Sequence, residues 1–259
     1  MPGADVQVTG IVAALRSEAR CLPQRGSGLR SAAAGMHLSV LASGMGCLRA
    51  ARAAQRLVRE GAGALLCFGV AGALDPSLRC GDIVLASEVI CAQPLALQLP
   101  GMRPTALPAQ ARLRTAELWR ARLAAALMRQ APVIEAPMLT STELICEARE
   151  KKLLFRQTGA VAVDMESAAV GVVANLHNLP FMVLRVIADT AEDALPSVLR
   201  SIVGTDAGAA SWVSWLTMLG APAAWPGLMR MGRRYQRARG TLSQCARLAG
   251  AARALEATS

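Results

Sequence analysis

Apolar residues fall in short blocks separated by glycine turns or by stretches with helical spacing of charge. Residues 6–15 read as a first strand, broken at Arg16-Ser17-Glu18, where a helix starts. Residues 37–43 read as a second strand ending in Ser43-Gly44-Met45-Gly46, and 48–59 alternate Arg and Ala as a helix does. The uninterrupted apolar run 64–70 suits a strand covered on both faces. A turn follows at 71–76, and Gly81-Asp82 opens another strand at 83–86. Four prolines (94, 100, 104, 108) make 95–110 an irregular apolar excursion. Beyond it lie an amphipathic helix at 115–129, a strand-like stretch at 138–145, a strand at 161–164 leading directly into a helix at 166–175, and a last strand at 181–188. Strands alternating with helices predict an α/β sheet with helices on both faces. Residues 207–229 hold no charge, but Pro222 and Pro226 divide them. A core helix near 206–219 and an interfacial segment after it fit better than a membrane span.

The chain has 259 residues, 53% of them hydrophobic and 18% charged, which describes a packed globule. Net charge is +10 and uneven: residues 221–259 carry seven arginines against Glu256 alone, so the last stretch supplies +6. This divides the chain into a body, 1–220, and a basic amphipathic extension, 221–259. Seven cysteines without C-x-x-C spacing, and only His37 and His177, leave no zinc pattern and suggest reduced thiols in the cytoplasm. The N-terminal stretch has no signal-peptide pattern, since Asp5 precedes the apolar run and Arg16 and Glu18 break it.

The candidate chemistry lies at strand ends. Asp164-Met165-Glu166 follows one buried strand, and Leu184-Arg185-Val186-Ile187-Ala188-Asp189 closes another. Glu166, Asp189 and Arg185 are thus carried into an apolar interior, where ionised groups need partners or a task. Two readings stay open on this pattern: a catalytic site at the carboxyl ends of the strands, or a structural pair of Arg185 with Asp189 or Glu166. Glu18 is equally readable as a solvated residue of a first helical turn, Met165 as core, and Gly72 as a turn. The turn at Gly44 and Gly46 can aim main-chain N–H groups at an oxyanion or hydroxyl, or be only a tight turn.

Five segments together resemble the nucleoside phosphorylase and nucleosidase superfamily, and within it the methylthioadenosine/S-adenosylhomocysteine nucleosidase branch. They are Gly10-Ile11-Val12-Ala13-Ala14-Leu15-Arg16-Ser17-Glu18; Ser43-Gly44-Met45-Gly46; Phe68-Gly69-Val70-Ala71-Gly72 with Gly81-Asp82-Ile83-Val84; Val163-Asp164-Met165-Glu166-Ser167-Ala168-Ala169; and Leu184 to Asp189. The resemblance implies a three-layer α/β/α fold with a central mixed, largely parallel sheet, plus a C-terminal helical basic extension. It implies cleavage of a purine N-glycosidic bond, with Asp189 protonating the departing base, Glu18 activating water and Glu166 holding the ribose. Gly44, Gly46, Gly72, Leu144, Ile145, Met165 and Arg185 would then bind substrate. No metal or cofactor is implied, with phosphate left open as co-substrate, and the family assembles as homodimers or larger oligomers.

The chain also departs from that pattern. Ala188 stands where the branch has a hydroxyl residue beside the catalytic acid. No arginine lies near Phe68-Gly69, where the phosphate-binding members carry one, although Arg49 and Arg52 keep phosphorolysis open. The family's aromatic-rich loop is replaced by Leu95-Ala96-Leu97-Gln98-Leu99-Pro100-Gly101-Met102. A pocket mouth of Leu and Met, with Trp212, Trp215, Trp225, Leu228, Met229 and the arginines of the extension, suits a hydrophobic, membrane-bound substrate. It suits nucleic acid poorly. These features resemble the hopanoid-associated phosphorylase group, which implies removal of adenine from adenosylhopane on the inner face of the membrane. The rivals are a soluble nucleosidase for methylthioadenosine, S-adenosylhomocysteine or futalosine, and a non-catalytic, membrane-docked nucleoside-binding module. The extension could instead pack across a subunit interface.

Overall fold

The computed structural model describes residues 8–23, 37–101, 104–128, 132–195 and 225–257. The expected helix near 206–219, Trp212, Trp215 and Met102 lie outside the described residues, as do the side chains of Trp225 and Leu228.

The strands are β1 (Val8–Ala13), β2 (Leu38–Ala42), β3 (Ala62–Ala73), β4 (Ile83–Cys91), β5 (Leu95–Leu97), β6 (Thr105–Leu107), β7 (Arg112–Arg114), β8 (Val133–Thr140), β9 (Ala162–Asp164) and β10 (Phe181–Asp189). The helices are α1 (Arg16–Ala19), α2 (Cys47–Arg59), α3 (Glu117–Leu127), α4 (Ala148–Thr158), α5 (Ser167–Leu176) and α6 (Trp225–Ala251).

The sheet is mixed. β1 pairs in parallel with β2 and β3, β3 with β10, and β8 with β4 and β9. β10 runs antiparallel to β4, β9 to the end of β3, and β7 to β4. Because β10 bonds both β3 and β4, the strands β3, β9, β8, β4 and β10 close into a ring, with β1 and β2 extending from it.

Alternation along the central strands builds the layers. Leu65 and Cys67 of β3, with Val183 and Ile187 of β10, face a core shared with α2 and α5. Their sequence neighbours Leu66 and Phe68, with Met182, Leu184 and Val186, face α3 and α6 on the opposite side. This period of two, buried on both faces, explains why the two strands read as unbroken apolar runs. In α2, Ala50, Ala51, Ala53, Ala54 and Leu57 are buried while Arg52, Arg56 and Arg59 are exposed, so small residues let the helix lie close on β1 and α5.

The basic C-terminal stretch is part of this fold. Ala238, Leu242, Cys245, Ala246 and Ala249 of α6 are buried against the sheet and α3, and the chain beyond it is tied back. Trp119 Nε1 donates to the Ala254 carbonyl (2.9 Å), Glu256 accepts from the His37 amide (2.9 Å), and the Ala257 amide donates to Thr9 Oγ1 (3.3 Å).

Three local expectations change. The excursion 95–110 contains the β5–β6 hairpin, and Leu95, Leu97 and Leu99 are buried in the α2/α5 core, so these leucines do not form a pocket mouth. The strand expected at 138–145 starts at Val133 and stops at Thr140, which frees 141–145 as a loop. The helix α4 was not anticipated by the apolar pattern, because its surface is mostly charged.

Candidate active site

The carboxyl ends of β1, β3, β9 and β10 converge on a cavity of about 150 Å³. Glu18, Glu166 and Asp189 all line it, together with Gly72, Leu144, Ile145 and Met165. Seven of the ten residues singled out in the sequence therefore share one space.

Glu18 sits on the short helix after β1 and is almost fully buried. Its Oε2 accepts from the Leu15 amide (2.9 Å) and its Oε1 from the Val70 amide (3.0 Å). Burial raises its pKa, opposed by the charge of Arg185 and by these amides. The solvated first-turn reading of Glu18 is thereby excluded.

Glu166 caps α5 directly after β9. Its Oε1 accepts from the Gly46 amide (2.8 Å) and its Oε2 lies 3.3 Å from Arg185 Nη2. Burial pushes its pKa up to about 7; Arg185 and the Gly46 amide work against this, while the charges of Asp164 and Glu18 add to it. Gly46 adopts φ +104°, a left-handed conformation that glycine takes without cost and that aims its N–H at the carboxylate. Gly46 thus acts through Glu166 and is not itself on the cavity wall. Gly44 is not on the wall either: its amide is spent on the Ala14 carbonyl (2.9 Å).

Arg185 stands behind the wall as the counter-ion. Nη2 lies 2.8 Å from Asp164 Oδ2, and Nε donates to the same oxygen at 3.0 Å. Asp164 in turn accepts from Thr140 Oγ1 (2.7 Å) and from the Ser167 hydroxyl and amide. The pairing of Arg185 with Glu166 is as expected, but the alternative pairing with Asp189 does not form. A register shift between Ile187 and Asp189 sets Asp189 opposite Gly72 while Arg185 stays opposite Gly69. Such a bulge re-aims the side chain that follows it. A Cβ on Gly72 would stand 2.9 Å from Asp189 Oδ2, so the glycine is what admits the carboxylate.

The partner of Asp189 is Lys151, which sequence reading missed. It projects from α4, is fully buried, and its ammonium pairs with Asp189 Oδ2. It also donates to the carbonyls of Thr190 (2.9 Å) and Asp193 (3.1 Å), which uses all three donors. Burial raises the pKa of Asp189, and the charge and hydrogen bond of Lys151, followed by the charge of Arg234, oppose the rise. The Ala188 side chain offers no hydrogen bond, and Lys151 supplies one to Asp189. One sign was available in the sequence: Lys151 and Lys152 are the only lysines among its 28 basic residues.

Five carboxylates line the cavity (Glu18, Glu143, Asp164, Glu166, Asp189), with apolar contributions from Leu15, Met45, Leu144, Ile145, Met165 and Leu195. Arg49 and Arg52 are not on this wall; Arg49 lies against Gly44 and Arg52 is exposed. Buried acids with raised pKa values can hold and exchange protons near neutral pH, and separate acids can serve as donor and acceptor in one reaction.

Comparison with known proteins identifies the family. The family model of the phosphorylase superfamily matches residues 4–209. The 5′-methylthioadenosine/S-adenosylhomocysteine nucleosidase of Shewanella piezotolerans is 31% identical over 168 residues, covering 62% of this chain and 71% of the relative. The enzyme of the same name from Tolumonas auensis is 27% identical over 208 residues, covering 74% and 90%. Among solved structures, the Helicobacter pylori nucleosidase of that name, complexed with a substituted pyrrolidin-3-ol, superposes with a TM-score of 0.68 at 18% identity, covering 94% of this chain and 97% of that one. Futalosine hydrolase from the same organism gives 0.67 at 18%, covering 93% and 96%. These two likenesses establish the shared fold. With the family model spanning most of its length and the expected acids gathered in one cavity, the chain belongs to the phosphorylase superfamily of nucleoside phosphorylases and nucleosidases, and it is an enzyme of that class.

Proposed function

We propose that this enzyme hydrolyses the N-glycosidic bond of a 5′-substituted adenine nucleoside, and that its substrate is the lipid-linked nucleoside adenosylhopane. The observation that carries the hydrolytic part is the lining of the cavity: among the described residues it holds five acidic side chains and no arginine, lysine or histidine to grip a phosphate dianion, so it suits water. The curated relatives named as nucleosidases support adenine as the base. The apolar rim of Leu15, Met45, Leu144, Ile145 and Leu195 supports a hydrophobic 5′ group, and the arginines of α6 support a location at an anionic membrane.

In this reading the bond from the anomeric carbon to adenine N9 breaks as negative charge builds on the base and positive charge on the sugar. Asp189, whose pKa burial raises against the pull of Lys151, carries the proton in the reactive complex and gives it to N7 of the leaving adenine. Lys151 stabilises the carboxylate left behind. Glu166 accepts a hydrogen bond from the 2′-hydroxyl and places negative charge beside the cationic sugar. Glu18, anchored by two amides, takes a proton from water as its oxygen bonds to the anomeric carbon. The products are adenine and the free sugar, with Asp189 ionised and Glu18 protonated until they exchange with solvent.

The test is incubation with adenosylhopane or methylthioadenosine, with and without phosphate, with the sugar product identified by mass spectrometry. The free sugar, formed at the same rate without phosphate and lost in Asp189→Asn, is expected. A sugar 1-phosphate formed only with phosphate would overturn hydrolysis. Rapid turnover of methylthioadenosine with none of adenosylhopane would overturn the lipid substrate, leaving the soluble nucleosidase reading. Absence of adenine release from every 5′-substituted adenosine would leave the binding-module reading.

A further inference from the structure

A second cavity, about 440 Å³, opens on the other side of the loop that follows Asp189. Its lining is Arg79, Cys80, Thr190, Arg233, Arg234 and Arg237. Four guanidinium groups therefore share one concave space, three from two adjacent turns of α6 and one from the turn between β3 and β4.

The crowding is built in. Arg233 and Arg237 are four residues apart on α6, and Arg234 and Arg237 three apart, spacings at which like charges oppose helix formation. α6 contains no acidic residue to relieve them. The surrounding contacts fix the arrangement. The Cys80 thiol donates to the Arg234 carbonyl (3.3 Å), and the Arg237 guanidinium lies over Gly81, 3.8 Å from where a Cβ would be. Two acids are close. Asp193 pairs with Arg234 and is held by the amide and hydroxyl of Thr190, each at 2.8 Å, while Asp82 accepts from the Arg79 amide at 2.7 Å. Among the described residues, Arg79, Arg233 and Arg237 have no carboxylate partner for their side chains.

We propose that this cavity is a binding site for a phosphate-class oxyanion, held by the guanidiniums of Arg79, Arg233, Arg234 and Arg237. Arginine forks match phosphate oxygens two at a time, and a partly enclosed site strengthens each bond. The anion can be a soluble phosphate or the headgroup of an anionic lipid, since both present the same oxygens. The site does not depend on which nucleoside the first cavity accepts. It is linked to that cavity by contacts: Asp193 pairs with Arg234, and its carbonyl accepts from Lys151, the partner of Asp189. An anion that neutralises Arg234 removes one of the charges that favour ionised Asp189, so it favours the protonated acid.

The test uses the full chain and the double variant Arg233→Ala/Arg237→Ala, whose side chains are both exposed. Binding of inorganic phosphate and pyrophosphate is measured by calorimetry, and sedimentation is measured with phosphatidylcholine vesicles with and without phosphatidylglycerol. The expected result is anion binding weakened by about tenfold or more in the variant, with adenine release from a soluble nucleoside unchanged in the absence of anion. Binding of phosphate alone identifies a soluble ligand. Binding of phosphatidylglycerol vesicles, displaced by pyrophosphate, identifies a lipid headgroup. Equal anion affinity in variant and parent, or no binding of any of these probes to the parent, overturns the proposal.

Discussion

Replacing Glu166 with Gln separates the electrostatics of this site from its shape. The native glutamate is buried beside Asp164 and Glu18, and burial outweighs Arg185 in setting its pKa, which rises from the ordinary 4.5 to about 7. A carboxyl group whose pKa is raised on folding binds its proton more tightly in the folded state. Its contribution to stability is fully present below the unfolded pKa and is lost as pH rises through the folded one. The interval from 4.5 to about 7 corresponds to about 3 kcal/mol. Most of this, about 2 kcal/mol, disappears between about pH 5 and about pH 7.5. Glutamine does not titrate, so this component is absent from the variant. The variant also faces Arg185 or Gly46 with an N–H instead of an oxygen, but that cost is the same at every pH. Urea unfolding of both proteins at several pH values measures the difference. The stability of the native enzyme minus that of the variant should fall by about 2 kcal/mol across that range. A difference that stays flat, or rises with pH, would show that Glu166 is ionised throughout and that Arg185 outweighs burial.

Two further substitutions probe the acid side of the cavity. Lys151→Met removes the charge that favours ionised Asp189, so Asp189 becomes a weaker acid and the alkaline limb of kcat/KM for adenine release moves to higher pH. The same change leaves the Thr190 and Asp193 carbonyls without their donor, costing about 1–3 kcal/mol for each acceptor that water does not reach, seen as a lower Tm. An unmoved limb would show that Lys151 only fills space. Gly72→Ala places a methyl group 2.9 Å from Asp189 Oδ2, and the carboxylate is pinned by Lys151 and cannot swing away freely. Overpacking of this kind costs about 1–3 kcal/mol; loss of adenine release with the fold retained by circular dichroism is expected, and full activity would contradict the close approach.

Much of this arrangement was legible in the sequence because a local pattern carried it. The strands β3 and β10 are apolar without interruption since both faces are covered, and the acids that end such runs stand out against them. Glu166 and Asp189 were visible for that reason. What was not legible depends on partners distant in the chain. The pairing of Arg185 with Asp164 follows from the convergence of β9 and β10 behind the cavity. Asp189 escapes Arg185 through a bulge that leaves no compositional trace. Lys151 belongs to a helix with a charged surface, which reads as solvated until α4 is placed against the end of β10. The leucines at 95, 97 and 99 read as pocket residues in the sequence but lie in the core, since alternating apolar residues look alike whether they face a ligand or a core.

The distribution of cations gives the acids of one small cavity different electrostatic surroundings, as the proposed mechanism requires. Arg185 acts on Glu18 and Glu166, and it is absent from the charges that act on Asp189. Asp189 answers instead to Lys151 and, more weakly, to Arg234. Two carboxyl groups beside one cation are coupled, so their protons come off in two steps that belong to the pair and neither pKa is set independently. Separate counter-ions remove that constraint. The bulge at Asp189 belongs to this separation: without the shift Asp189 would stand opposite Ala73, on the same face of β10 as Arg185, and the bulge re-aims its side chain. On this argument Glu166→Gln leaves the alkaline limb in place while Lys151→Met moves it, and equal movement in both would mean that the two halves of the cavity form a single titrating unit.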